Sequence, residues 1–231
     1  MGWSRRIRAS IAVGLAVIGV VLVCTGLATS APRDPPLLDE PNLQSSPSTT
    51  AGAPEGERPR KPSEGADVRD TIAGSVLPES DPVLLSIPKI GVRSALIDLG
   101  LDSKGAMEVP RDPADPGWFS RGAAPGALGP AVVAGHVTWN GEPGVFYRLG
   151  KLRPGDPVEI TREDGRTATF VVSRLARYSK ERFPTRTVYG AIDHAGLRLI
   201  TCGGSYDSSR SRYPDNVVVY ARLESVRAPK R

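Results

Sequence analysis

Leu197-Arg198-Leu199-Ile200-Thr201-Cys202-Gly203-Gly204 is the stretch on which the reading of this chain turns. Leu197, Leu199 and Thr201 alternate with Arg198, Ile200 and Cys202, the two-residue period of a β-strand, and two glycines stop the run at once. The strand delivers a thiol to its own end, where backbone and solvent become accessible. A cysteine so placed is either a small buried hydrophobe or a nucleophile, and the rest of the chain must decide between them.

Runs of the same kind recur at residues 82–88, 95–101, 130–135, 157–161, 168–175 and 216–223, separated by Gly and Pro. With few helical patterns between them, strands at this spacing predict a mainly β domain, a closed or nearly closed barrel. Glu163-Asp164-Gly165-Arg166 reads as a hairpin turn in which glycine supplies a positive φ. One short helical piece is expected over residues 145–152.

The chain before this region is different. Arg5, Arg6 and Arg8 are followed by no charge until Arg33, and residues 11–27 are almost wholly apolar. About 20 apolar residues span a bilayer as a helix, whereas the apolar part of a cleaved signal has about 7–15. Length therefore favours an uncleaved anchor, although Ala28-Thr29-Ser30 resembles a cleavage site. Cys24 follows Val23 and not the small residue that a lipid-attachment site requires, so it reads as a membrane residue. Residues 32–81 are rich in Pro, Ser, Thr, Gly and charge with no apolar period, the composition of a disordered linker. A tether of about 50 residues has an r.m.s. span of roughly 40 Å. The expected organisation is a cytoplasmic basic flank (1–8), a transmembrane helix (9–31), the linker (32–81), one folded domain (82–225) outside the cell and a basic tail (226–231). A net charge of +5 without long basic runs gives nucleic-acid binding no support.

With Cys24 in the membrane, Cys202 is an unpaired thiol in an oxidising compartment, which marks it as a candidate reactive group. A thiol attacks as thiolate and needs a neighbouring imidazole or cation to become one. Of the two histidines, His136 ends the run Ala131-Val132-Val133-Ala134-Gly135-His136, the same strand-end arrangement as Cys202. His194 lies in the polar stretch Asp193-His194-Ala195-Gly196 and reads as a solvated loop residue. One exported cysteine and two scattered histidines fall short of a zinc site, and no phosphate-binding motif or other cofactor signature is present.

Ile200-Thr201-Cys202 resembles the cysteine signature of sortases, the membrane-anchored transpeptidases of Gram-positive bacteria, and Ala134-Gly135-His136 resembles their histidine motif. The likeness extends from residues 84–92 through Phe183-Pro184-Thr185 to Asp215-Asn216-Val217-Val218-Val219-Tyr220. Cys202-Gly203-Gly204 followed by Tyr206-Asp207, and then Tyr213-Pro214-Asp215-Asn216, are most similar to the class F sortases of actinobacteria. The resemblance implies an eight-stranded barrel with short helices and two-step acyl transfer. Cys202 would attack the Thr carbonyl of an LPXTG-type sorting signal, and His136 would serve as acid and base. An arginine from the last strand or the loop before it would stabilise the oxyanion.

That arginine is expected to be Arg212, with Arg210 second; Pro214 and Asn216 occupy other aligned positions. Thr201, Arg210, Asn216 and Phe183 are the expected substrate-binding residues, with residues 178–196 as one wall of the groove. Expected partners are sorting signals of secreted proteins and an amine acceptor, either a lipid-linked peptidoglycan precursor or a pilin lysine, with the enzyme a monomer, no cofactor and no metal-ligand set named among its residues. Rival readings are another exported Cys/His acyl transferase or hydrolase, and a membrane-tethered barrel that only binds. The Cys/His motif of L,D-transpeptidases places His two residues before Cys, where this chain has Ile200.

Overall fold

The computed structural model of the protein describes residues 74–229. The expected basic flank, the transmembrane helix, Cys24 and most of the linker lie outside the described residues. No helix among the described residues is long and apolar enough to cross a membrane.

The chain forms β1 (Pro82–Ile87), β2 (Val92–Ala95), β3 (Ile97–Leu99), β4 (Gly117–Phe119), β5 (Gly129–Ala134), β6 (Thr138–Trp139) and β7 (Glu142–Pro143). It continues through β8 (Pro157–Arg162), β9 (Thr167–Ser179), α1 (Thr185–Tyr189), β10 (Ala195–Gly203) and β11 (Asp215–Arg227). Short 3-10 helices cover Pro88–Ile90, Leu149–Lys151 and Lys180–Arg182. The second of these falls inside the segment where a helical piece is expected.

The main sheet has nine strands in the order β2-β1-β8-β9-β11-β10-β5-β4-β3, and β6 pairs with β7 separately. Nine strands replace the eight expected. One extended run, residues 92–99, changes partner at Leu96: β2 pairs antiparallel with β1, and β3 pairs parallel with β4. At the switch, Leu96 N–H donates to the Val83 carbonyl and Ile97 N–H to the Pro116 carbonyl. These two edge strands are consecutive in the chain, so the backbone itself carries the sheet from one edge to the other and nearly closes the barrel.

Alternation along each strand builds two apolar layers. Leu85, Ile87, Val133, Ile160, Phe170, Leu197, Leu199 and Val219 point into the barrel, which Phe146, Leu149 and Leu152 fill from the segment after β7. The opposite faces of β5, β9, β10 and β11 supply Val132, Ala176, Ile200, Val218 and Tyr220, and Val188 of α1 packs on them. All of β5 is buried, because both its faces are covered and it lies between β4 and β10. The expected hairpin joins β8 to β9: Gly165 has φ +76, and its N–H donates to the Arg162 carbonyl.

Contacts to the barrel begin before Pro82. Leu77 N–H donates to the Gly126 carbonyl at 2.8 Å, and the Glu79 carboxylate accepts from Ala124 N–H at 3.0 Å. The Pro78 carbonyl accepts from the buried guanidinium of Arg162 at 2.6 Å. Arg162 also donates to the Pro125 carbonyl at 2.8 Å and pairs with Asp164 at 3.0 Å.

Candidate active site

The parallel pairing of β5 with β10 sets Ala134 opposite Ile200, so two residues further on the two strands release His136 and Cys202 side by side. Two bonds tie these strand ends together: Gly135 N–H to the Ile200 carbonyl at 3.1 Å, and the Thr201 hydroxyl to the Gly135 carbonyl at 2.8 Å. Thr201, an expected substrate-binding residue, is buried with its hydroxyl committed to this clasp.

His136 is placed by close backbone packing. A Cβ on Gly144 would stand 2.5 Å from the His136 carbonyl oxygen, so the returning chain can pass here only as glycine. Phe146 N–H then closes the loop by donating to the His136 carbonyl at 2.9 Å. The ring meets Trp139 edge-on, with centroids 5.0 Å apart. Its Nε2 lies 2.7 Å from the Pro110 carbonyl. A carbonyl only accepts, so Nε2 carries the hydrogen and the neutral ring keeps its basic lone pair on Nδ1.

Cys202 is half-buried, and its thiol is free. The Lys180 ammonium donates to Sγ at 3.3 Å. Cys202, His136, Lys180, Arg212, Thr138 and Trp139 line one cavity of about 370 Å³. Its far wall is the loop between β10 and β11, held in place where Tyr213 Oη and Thr138 Oγ1 share a hydrogen bond of 2.8 Å.

Arg212 is half-exposed on the cavity wall and faces Glu181 at 3.6 Å. Arg210 is more exposed and faces Asp207 at 3.7 Å. Asn216 is the direct antiparallel partner of Cys202, which puts both side chains on one face of the sheet. Phe183 belongs to an aromatic arc over the outer layer, 6.0 Å from Tyr178 and 6.3 Å from Tyr189 between ring centroids. His194, bonded to Asp193 at 2.7 Å, precedes the opposite end of β10, about 25 Å of strand away from Cys202.

Deeper on the same face, two guanidiniums approach the Tyr220 ring, Arg174 at 3.5 Å and the buried Arg198 at 4.6 Å from its centroid. Burial and the Tyr178 hydroxyl push the Tyr220 phenol up to about 12, although Arg174 pulls the other way, so the phenol stays neutral at physiological pH.

Two contacts were not expected from sequence. Lys180 carries no motif of its own, and the Pro110 carbonyl belongs to a backbone group that any residue presents.

A family model described as "Sortase domain" matches residues 85–224, more than half of the chain. Among solved structures, sortase A of Listeria monocytogenes is 15% identical over 67% of this chain and 93% of its own, with a TM-score of 0.50. A lid mutant of sortase A from Corynebacterium diphtheriae is 20% identical over 64% of this chain and 73% of its own, also at 0.50. These two likenesses bear on the fold alone. No curated protein sequence matches the chain.

Proposed function

This chain belongs to the sortase family of cysteine transpeptidases, and from that premise we propose that it is a membrane-anchored, class F-like enzyme acting on LPXTG-type sorting signals. In this reading Cys202 forms a thioester with the Thr carbonyl of the signal. The acyl group then passes to an amine, either a lipid-linked wall precursor or a protein lysine. One observation carries it: His136 and Cys202 leave adjacent parallel strands into one cavity that also holds cationic side chains.

The chemistry follows from those positions. His136 Nδ1 takes the thiol proton, while Nε2–H stays on the Pro110 carbonyl and steadies the ring as it becomes an imidazolium. The sulfur lone pair forms the S–C bond, and the carbonyl electrons move onto oxygen. Arg212 stabilises that oxyanion from the cavity wall, exchanging Glu181 for substrate as it does so. Collapse breaks the Thr–Gly C–N bond, with the proton of His136 going to the leaving amine. The incoming amine reverses the sequence and loses its proton to His136. Residues 178–196, with Phe183, form one groove wall. The anchor over residues 9–31 keeps the enzyme where both substrates emerge, and the class F assignment rests on the Cys-Gly-Gly and Tyr-Pro-Asp-Asn stretches.

Mass spectrometry of the protein with a panel of LPXTG-like peptides and simple amine acceptors tests this. A thioester adduct on Cys202, and a ligated product when an amine is present, are expected. Peptides left intact across the panel would overturn the substrate class, and cleavage without an adduct would overturn the covalent route.

A further inference from the structure

Lys180 opens the 3-10 helix Lys180–Arg182, one residue beyond Asp215↔Ser179, the last pair of the β9–β11 ladder. Its backbone N–H donates to the Pro214 carbonyl at 3.0 Å, which fixes the residue against the loop that walls the cavity. From there the side chain crosses the end of β11 and donates to Cys202 Sγ at 3.3 Å. Among the described residues the ammonium has no other side-chain hydrogen bond and no carboxylate at ion-pair distance. The acid next to it in sequence, Glu181, faces Arg212 instead. A half-buried ammonium whose polar partner is a thiol sulfur is the arrangement that favours sulfur as an anion.

We propose that Lys180 is a catalytic residue, the cation that holds the Cys202 sulfur as thiolate and then shares the oxyanion with Arg212. The inference rests on the reading of Cys202 as nucleophile. Besides His136, which takes the thiol proton, Asn216 as the strand partner of Cys202 has no charge, and the charge of Arg212 on the cavity wall is already opposed by Glu181. An ammonium is a compact charge with three donors, so one N–H can stay on sulfur while another reaches the substrate oxygen. That oxygen lies two bonds from sulfur once the S–C bond has formed. Through the whole step Lys180 stays protonated; the thiol proton goes to His136 and from there to the leaving amine.

The test is the rate of Cys202 alkylation by iodoacetamide, followed by mass spectrometry on the full-length protein between pH 5 and 10, beside peptide turnover at pH 7. Lys180→Met should slow alkylation at pH 7 by about tenfold or more, with rates converging at high pH where the thiol ionises unaided. Lys180→Arg, which keeps the charge, should recover most of the loss, and the thermal transitions of both variants should match the wild type. A Lys180→Met profile that overlies the wild type, or a Lys180→Arg variant as slow as Lys180→Met, would overturn the proposal. Alkylation needs no sorting signal, so the two readings fail separately. Intact peptides with the Lys180 effect present would remove the substrate class and support the role of Lys180.

Discussion

Cys202, the nucleophile of the proposed reaction, has as neighbours an ammonium at 3.3 Å, an imidazole released from the adjacent strand, and a cavity open to both. Cys202→Ala should abolish peptide cleavage with its fold intact, because a half-buried strand-end thiol contributes little packing. His136→Ala should be nearly as damaging, since no other imidazole faces that cavity among the described residues. His194→Ala should stay within a few-fold of wild type, because its ring is bonded to Asp193 beyond the other end of β10. Equal losses in the two histidine variants would remove the acid/base assignment. Arg212→Ala should lower turnover by about 10²–10³ with little change in stability, the usual effect of losing one oxyanion donor. A full loss in Asn216→Ala, with Arg212→Ala near wild type, would move that role to the direct strand partner of Cys202.

Between elements, the site depends on how closely β5 and the segment after β7 approach. Gly144 lies against the His136 backbone, and a Cβ there would meet carbonyl oxygen at 2.5 Å and carbonyl carbon at 2.8 Å, atoms that cannot rotate away. Gly144→Ala must therefore push the His136 turn outward. Activity should fall by about tenfold or more, because small displacements of a catalytic group are costly, while overpacking costs about 1–3 kcal/mol of stability. Parallel kinetics and thermal unfolding check this, and an unchanged kcat with an unchanged Tm would show that the turn is slack. Thr201 acts at the same scale: its hydroxyl joins β10 to Gly135 and keeps the two strand ends in register.

Across the whole molecule, the barrel is fastened by residues that look like tether. Leu77, Pro78 and Glu79 bond to Gly126, Arg162 and Ala124, and the buried Arg162 guanidinium depends on Pro78 for one of its acceptors. A chain starting at residue 82 should still fold around β1, but with Tm about 4–8 °C below one starting at residue 74, the effect of losing roughly 2 kcal/mol of charge-assisted bonding and Leu77 burial. Equal transitions for the two chains would mean that the 77–80 contacts contribute nothing to stability.

The local sequence was sufficient for whatever has a short period. Alternation in residues 197–202 and the apolar run 131–134 gave strands, the glycines after them gave strand ends, and the ends carried Cys202 and His136. The 163–166 turn was legible for the same reason, a glycine whose φ only it adopts readily. Tertiary structure decided the rest. Leu96 divides one extended run into two strands because its neighbours pair with opposite edges of the sheet, and nothing in the residues around it encodes that exchange. Lys180 reaches a sulfur 22 positions away only through the joint register of β9, β11 and β10. The Pro110 carbonyl that orients His136 is a group every residue possesses. Periodicity reports which face of an element a side chain occupies, whereas the partner across that face is set by pairing and loop closure over the whole chain.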